Sequence, residues 1–500
     1  MFIPPSIARG RRRAPHGWIG RGGTAFAAAL IVATAAAAAP VAGNDAAMVL
    51  QASLQPADPG PASAPGDGEL RSRIEGPAGL VVGGEALHRP LLRQFYAGHN
   101  FAPVWTTRQA QAEALRNVVL RAGEHGLDPD LFHGAVLRNT AGLSPIDREL
   151  LLSDAVLAYA DALARGALPI ERRMDDEDLQ PEPVSVVAAL DRAIDSPDPA
   201  AVIERLAPQS PGYKALQRAL RSYQTATANG AAAPPSAAGD NPRRTPQSVA
   251  GETGATRLQQ IVVNLERWRW LPRNLPAERV WVNAASAELV LYREDRPVFT
   301  SRVVVGRADQ QTPEFQTTID SLLFNPPWNV PYSIATKEIL PKLDQDPDYL
   351  NRHRMVIRSN GAIQQLPGAG TALGVLKFEM QDRFTVYLHD TPLKQLFGRD
   401  NRRQSHGCVR VQKPRELAAL LLGQPVEEIN RGIALGYTNR RMLPKPVPVF
   451  IVYQDAFAAP DGTIEFRPDV YGRDDEVWQR LQPRHQAPVA QGEAATQRRG

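Results

Sequence analysis

The chain has 500 residues, a formal net charge of +4 and a single cysteine. Five arginines and no acidic residue fall in the first 43 positions, so the remainder carries a net charge of −1 and gives no reason to expect nucleic-acid binding. One cysteine excludes an intrachain disulfide framework, which leaves either an inert buried residue or a reactive thiol.

In chain order, Arg9, Arg11, Arg12, Arg13 and Arg21 precede an Ala-rich apolar stretch from Thr24 to Ala42, with small residues near Val41 and Gly43. This is the pattern of an export signal, predicted over 1–43. The stretch is close to the roughly 20 residues that a membrane span needs, so the leader is either cleaved or retained as an anchor; its weakly lipophilic alanines favour cleavage. Residues 44–84, with "QPADPGPASAPGDGE", read as a disordered tether. From 85 to 224 the periodicity is helical: Ala112, Leu115, Val119 and Ala122 make one apolar face, and that helix is expected to stop near Gly123 to Gly126. Residues 225–256 contain no aromatic, Leu or Ile and read as a flexible linker.

Beyond the linker the pattern changes to strands. "ERVWVNAASAELVLYREDRPVFTSRVVVG" gives short β-branched runs with a hairpin around Glu294 to Pro297, and "RFTVYLHD" and "VPVFIVY" repeat the pattern. Short helices are expected at "PRELAALLLG" and "RDDEVWQRL", and 481–500 reads as a disordered tail. The fold class is α+β multidomain: an all-helical domain over 85–224, a linker, and a β-rich domain with helical insertions over 257–480.

The cysteine, Cys408, lies in "SHGCVRV". A thiol at its usual pKa of about 8.5 needs a base to act as a nucleophile, and histidine is the common partner. Of nine histidines, His16 belongs to the leader, His485 to the tail, and His88, His99, His125 and His133 to the helical domain. His353, His389 and His406 remain. In "FTVYLHD", Phe384, Val386 and Leu388 share one strand face and Thr385, Tyr387 and His389 the other; in "CVRV", Val409 and Val411 face the core while Cys408 and Arg410 face away. Were the two strands neighbours, His389 and Cys408 would meet on the non-core face. His406 is ranked as a residue that stabilises the turn, and His353 as a surface residue on a long insertion. The WRW run at 268–270 and Trp328 are expected to pack. A zinc site drawn from Cys408, His406 and His389 is disfavoured, since neither HExxH nor a paired-cysteine motif is present.

"YLHDTPLKQLFGRDNRRQSHGCVRV" resembles the signature of the L,D-transpeptidases with a YkuD-type catalytic domain. "NLERWRWLP", "NPPWNVPYSIATKEILPKL" and "LPGAGTALGVLKF" resemble the larger periplasmic murein members, whose scaffold domain the helical region is similar to. The resemblance covers about 257 to 455 and implies Cys408 as nucleophile, His389 as base, Ser405, His406, Gly407 and Arg410 as the surrounding motif, Tyr387 as a substrate-lining candidate, and a cap at 333–370. It implies acyl transfer through a thioester on peptidoglycan stem peptides: a tetrapeptide donor releases D-alanine, and the diaminopimelate amine of a neighbouring stem takes up the acyl group, giving a 3→3 crosslink. Backbone amides near Gly407 and Cys408 would hold the oxyanion, no metal or organic cofactor is needed, and a carbapenem would serve as a pseudo-substrate. An L,D-hydrolase or carboxypeptidase, or an enzyme attaching or releasing lipoproteins, would use the same cysteine. The linker stands where larger relatives often carry a peptidoglycan-binding domain. The expected location is the periplasm, with the leader cleaved or kept.

Overall fold

The computed structural model describes residues 67–229, 254–368, 370–459 and 462–483; the predicted leader, the start of the tether, the centre of the linker and the end of the tail lie outside them. The described chain opens with α1 (Asp67–Glu75) and a small hairpin of β1 (Val81–Val82) and β2 (Glu85–Ala86). The tether predicted to reach residue 84 is therefore too long. Leu70 and Ile74, one turn apart on α1, are fully buried and hold the helix to the core.

The helical region then runs through α2 (Arg89–Gly98), α3 (Gln109–Leu120), α4 (Gly134–Arg138), α5 (Pro145–Arg165), α6 (Val186–Ile194), α7 (Pro199–Glu204) and α8 (Pro211–Ala228). The face predicted for α3 is buried through Leu115, Val119 and Ala122, and Gly126, at φ +70°, closes the 3-10 turn that follows it. α5 is the central shaft: Ser144 caps its start by accepting from the Asp147 amide, and Leu150, Leu151, Val156, Leu157 and Leu163 are fully buried. Between α5 and α6 the chain makes a two-residue strand, β3 (Glu177–Asp178).

The linker predicted over 225–256 is shorter at both ends, since α8 reaches Ala228 and α9 spans Gly254–Arg269. α9 also shifts the predicted domain boundary at 257. Its Ile261, Val263 and Leu265 are fully buried in the same core as the earlier helices.

The β-rich region begins with β4 (Arg279–Asn283), β5 (Glu288–Arg293), β6 (Arg296–Gly306) and β7 (Glu314–Phe324). The expected hairpin joins β5 to β6 through Glu294 and Asp295, both with positive φ (49° and 58°). Two non-glycine residues hold that conformation because Asp295 accepts from Arg279 at 2.6 Å and its amide donates to the Ala277 carbonyl. An insertion follows: β8 (Trp328–Asn329), α10 (Tyr332–Ile334), a π-helical turn (Ala335–Ile339), α11 (Leu340–Gln345), α12 (Tyr349–Arg352), β9 (Met355–Ile357) and β10 (Ile363–Gln365). It packs on a small core of its own around Val330, Ile339, Met355 and Ile363.

The chain continues with β11 (Leu376–Met380), β12 (Leu388–His389), β13 (Arg403–Ser405), β14 (Val409–Val411), the two expected helices α13 (Pro414–Leu422) and, at the end, α15 (Arg473–Leu481), with α14 (Val426–Ala434), β15 (Asn439–Val452), β16 (Ala456–Ala458) and β17 (Ile464–Phe466) between them. The main sheet runs β11-β12-β14-β6-β5-β4-β15-β7-β3, and a further β11–β7 pairing closes it into a ring that leaves out β3 and, beside β6, β13.

Period-2 alternation divides β4 and β15 between two cores. Val280, Val282, Val449 and Ile451 point into the ring, while Trp281, Phe450 and Val452 join the helical core outside it. The WRW run packs as expected: Trp270 is fully buried, and Trp268 stacks on Trp281 with ring centroids 5.8 Å apart. Buried charges fasten the seam. Arg267 of α9 pairs with Asp474 at 2.6 Å and Asp455 at 3.4 Å, and Asn264 donates to Asp455 at 2.6 Å. β3 adds itself in parallel to β7, placing Glu177 opposite Glu314. Glu314 lies beside Arg473 at 3.3 Å, and burial pushes its carboxyl up to about 7 against the pull of Arg267 and Arg473.

Removing one partner of such a buried cluster leaves the others uncompensated, at a cost of about 3–5 kcal/mol. Arg267→Met is expected to lower the urea midpoint by a corresponding amount; an unchanged midpoint would mean that the ion cluster contributes nothing to holding the seam.

Candidate active site

The Val409 amide donates to the Tyr387 carbonyl at 3.1 Å, and β12 and β14 pair in parallel with Leu388 opposite Val409 and His389 opposite Arg410. Leu388, Val409 and Val411 are fully buried in the ring core. Parity therefore places Tyr387, His389, Cys408 and Arg410 on the other face, as the alternation in the sequence predicts. The register makes Tyr387 the lateral neighbour of Cys408 and His389 the neighbour of Arg410, so Cys408 and His389 stand on a diagonal.

The strand expected across "RFTVYLHD" is confined to Leu388–His389. Thr385, at φ +59°, breaks it, in a turn where Asp382 accepts from the Phe384 and Val386 amides at 2.8 and 3.1 Å. The turn presents the Thr385 carbonyl to the half-buried Cys408 thiol, 3.9 Å away.

Gly407 turns the chain into Cys408 at φ +106°. A Cβ there would meet only the Gln311 carbonyl at an ordinary 3.5 Å, so the backbone angle rather than crowding calls for glycine. Ser405 Oγ donates to the Cys408 carbonyl at 2.6 Å and accepts from the Gly407 amide at 3.2 Å, and the Gly407 carbonyl accepts from Thr312 Oγ1 at 2.8 Å. Ser405 thus occupies the Gly407 amide within the turn.

His389 is buried, and its Nδ1 lies 2.5 Å from the Asp390 carbonyl. A carbonyl only accepts, so Nδ1 carries the proton and Nε2 keeps its lone pair. Burial, with Arg410 and Lys377 nearby, lowers the imidazole to about 3 and keeps it neutral. Burial also pushes the Cys408 thiol up, opposed chiefly by hydrogen bonding from the Tyr387 backbone and side chain. The resting pair is therefore a neutral thiol and a neutral imidazole.

Two cations flank the pair. Lys377 Nζ sits 4.2 Å from the centre of the Tyr387 ring. Arg410 forms no ion pair among the described residues, and its Nε is buried without a partner. His406, set apart from the base role, reaches the insertion, where its Nε2 meets Glu338 at 2.5 Å. His353 is exposed, and its ring Nδ1 bonds the Tyr349 carbonyl of its own helix at 2.8 Å. Trp328 is half-buried against the core of the insertion, with a hydrogen bond toward Tyr387. Lys377, Thr312 and Glu338 were not singled out in the sequence, and Thr385 was placed only on the strand face of Tyr387 and His389.

Residues 90–220 match the model of a scaffold domain, and residues 277–447 match that of the L,D-transpeptidase catalytic domain, YkuD. The chain carries an L,D-transpeptidase catalytic domain behind a scaffold domain. A curated Haemophilus influenzae protein named "Putative L,D-transpeptidase" is 27% identical over 419 residues, covering 78% of this chain and 79% of that protein. Two solved structures overlap weakly. The Ldtfm-avibactam carbamoyl enzyme has a TM-score of 0.19 at 11% identity, over 35% of this chain and 49% of that one. A mutant Enterococcus faecium L,D-transpeptidase has a TM-score of 0.17 at 11% identity, over 35% and 50%. The chain spans about half the length of each of these two, and overlaps so slight add nothing to the domain assignment.

In this catalytic domain the raised thiol pKa has a direct consequence for reactivity. The rate of Cys408 alkylation by iodoacetamide is expected to climb with pH through and beyond the ordinary thiol value of about 8.5. A rate that is flat from neutral pH downward would instead reveal a preformed thiolate–imidazolium pair.

Proposed function

We propose that this chain is an L,D-transpeptidase that forms 3→3 crosslinks in peptidoglycan through a Cys408 thioester. The observation that carries the reading is the state of the histidine: neutral, with Nδ1 tied to a carbonyl and a lone pair at Nε2, one diagonal step from the only thiol. His389 takes the Cys408 proton as sulfur attacks the carbonyl that precedes the terminal D-alanine of a tetrapeptide stem. The S–C bond forms, the Cys408 amide stabilises the oxyanion, and the C–N bond breaks as His389 returns the proton to the leaving amine. A diaminopimelate amine on a second stem then attacks the thioester, the new C–N bond forms, and Cys408 leaves and regains a proton.

Substrate recognition follows from charge. Arg410 and Lys377 leave positive potential on the face that carries the thiol, suited to the carboxylates of a stem peptide. The insertion at 333–370, joined to the motif through Glu338 and His406, is positioned to wall the cleft. The reading also takes the protein to be exported to the periplasm by its leader.

Mass spectrometry of the chain without its leader, incubated with purified disaccharide tetrapeptide, is expected to show a dimer formed with loss of one D-alanine. Cys408→Ala should abolish it, and His389→Ala should reduce its rate by about 10²–10⁴-fold. Tripeptide without dimer would turn the assignment to the hydrolase, and dimer formation by Cys408→Ala would sink the thioester. Arg410→Gln is expected to lower kcat/KM by about 10- to 100-fold, the worth of a hydrogen bond to a charged group. An unchanged kcat/KM would remove Arg410 from substrate binding.

A further inference from the structure

Far from the cysteine in sequence, three side chains of the helical region converge with no role in the reaction just described. Asp154, in the middle of α5, is fully buried, and its Oδ2 lies 2.8 Å from His133 Nε2 and 3.0 Å from His88 Nδ1. These three atoms all lie within 4.8 Å of one another. No lysine or arginine pairs with Asp154 among the described residues; the polar partners of its carboxylate are the His88 amide and the two imidazoles. The second carboxylate group of this kind, Asp455, Asp469 and Asp474, is different, because the guanidinium of Arg267 already lies against two of its members.

We propose that His88, His133 and Asp154 bind a divalent transition-metal ion, zinc by preference, with the fourth position open to water. Two imidazoles and one carboxylate suit zinc, whose bonds of about 2.0–2.1 Å place tetrahedral ligand atoms about 3.3 Å apart. The two carboxylate–imidazole separations, 2.8 and 3.0 Å, need to widen by only a few tenths of an ångström. Two of the three ligands are also oriented by a partner that leaves the converging atom free. Asp154 Oδ1 accepts from the His88 amide at 2.7 Å, so Oδ2 faces inward. The far nitrogen of His133, Nδ1, lies 3.4 Å from Glu85, the carboxylate–histidine arrangement that fixes the tautomer of a ligating imidazole. The His88 side chain is 55% exposed, which provides a path for the ion and solvent for the open position.

The ion would join three separate pieces of chain: the junction of β2 and α2, the turn that ends at His133, and the shaft α5. Its role is to pin the first described elements to the helical core, and it takes no part in acyl transfer.

The test uses the full chain carrying Cys408→Ser, which removes the thiol as a competing ligand, with zinc chloride as the probe against a chromophoric chelator. One zinc per chain is expected, with a rise in thermal midpoint. His88→Ala should weaken uptake by at least about 10-fold, and Glu85→Gln, which leaves all three ligands in place, by about 10- to 100-fold. His88→Ala keeps the backbone amide that holds Asp154. Anomalous diffraction at the zinc edge locates the ion independently of any variant. Density between the three side chains supports the site; zinc elsewhere, no stoichiometric uptake, or uptake indifferent to His88→Ala overturns it.

Discussion

The parallel pairing of β12 with β14 is the constraint on which the reactive face depends. Only two residue pairs define it, yet a slip of one position would turn Cys408 and Arg410 into the ring and expose Val409 and Val411. The register holds because Leu388, Val409 and Val411 are fully buried in the ring core. Closure of the ring by β11 and β7 adds a second restraint, since β11 pairs with β12 and with β7 and so cannot drift. The short strands at the site thus borrow their rigidity from the long strands opposite.

Charge is handled in two ways in this molecule. At the seam, Arg267 meets Asp455, Asp474 and Glu314, so ions removed from water are compensated by one another. On the face that carries the thiol, Arg410 is without an acidic partner among the described residues, and its field and that of Lys377 add to the burial that keeps His389 neutral. The first arrangement holds two bodies together, and the second leaves potential available to a ligand.

The parts legible in the sequence were those governed by local periodicity. The alternation of Val409 and Val411, the hairpin at Glu294, and helices α13 and α15 follow from neighbours a few residues apart. Leu70 and Ile74 signalled α1 at helical spacing, but the Gly- and Pro-rich composition around them outweighed two apolar residues. The alternation through "RFTVYLHD" failed at Thr385 because the side chain of Asp382 organises a turn there, a polar contact that a hydrophobic pattern does not encode. The remaining features are contacts across long sequence separations. Glu338 with His406, His88 with Asp154, and β3 with β7 join segments that no local pattern relates.

The strand β3 makes the helical region a lender of backbone to the enzyme. Two residues, Glu177 and Asp178, sit alongside β7, where Arg473 and Arg383 bind the same loop, at Asp176 and Asp178. The modular border between the two regions is therefore not a line along which the polypeptide can be divided. A catalytic region cut free at residue 277 would present the naked amide edge of β7 at Glu314 and Phe315 and the aromatic flank of Trp281 and Phe450. Bare strand edges recruit other strands. In the intact chain, the helical region covers that edge with two residues of its own.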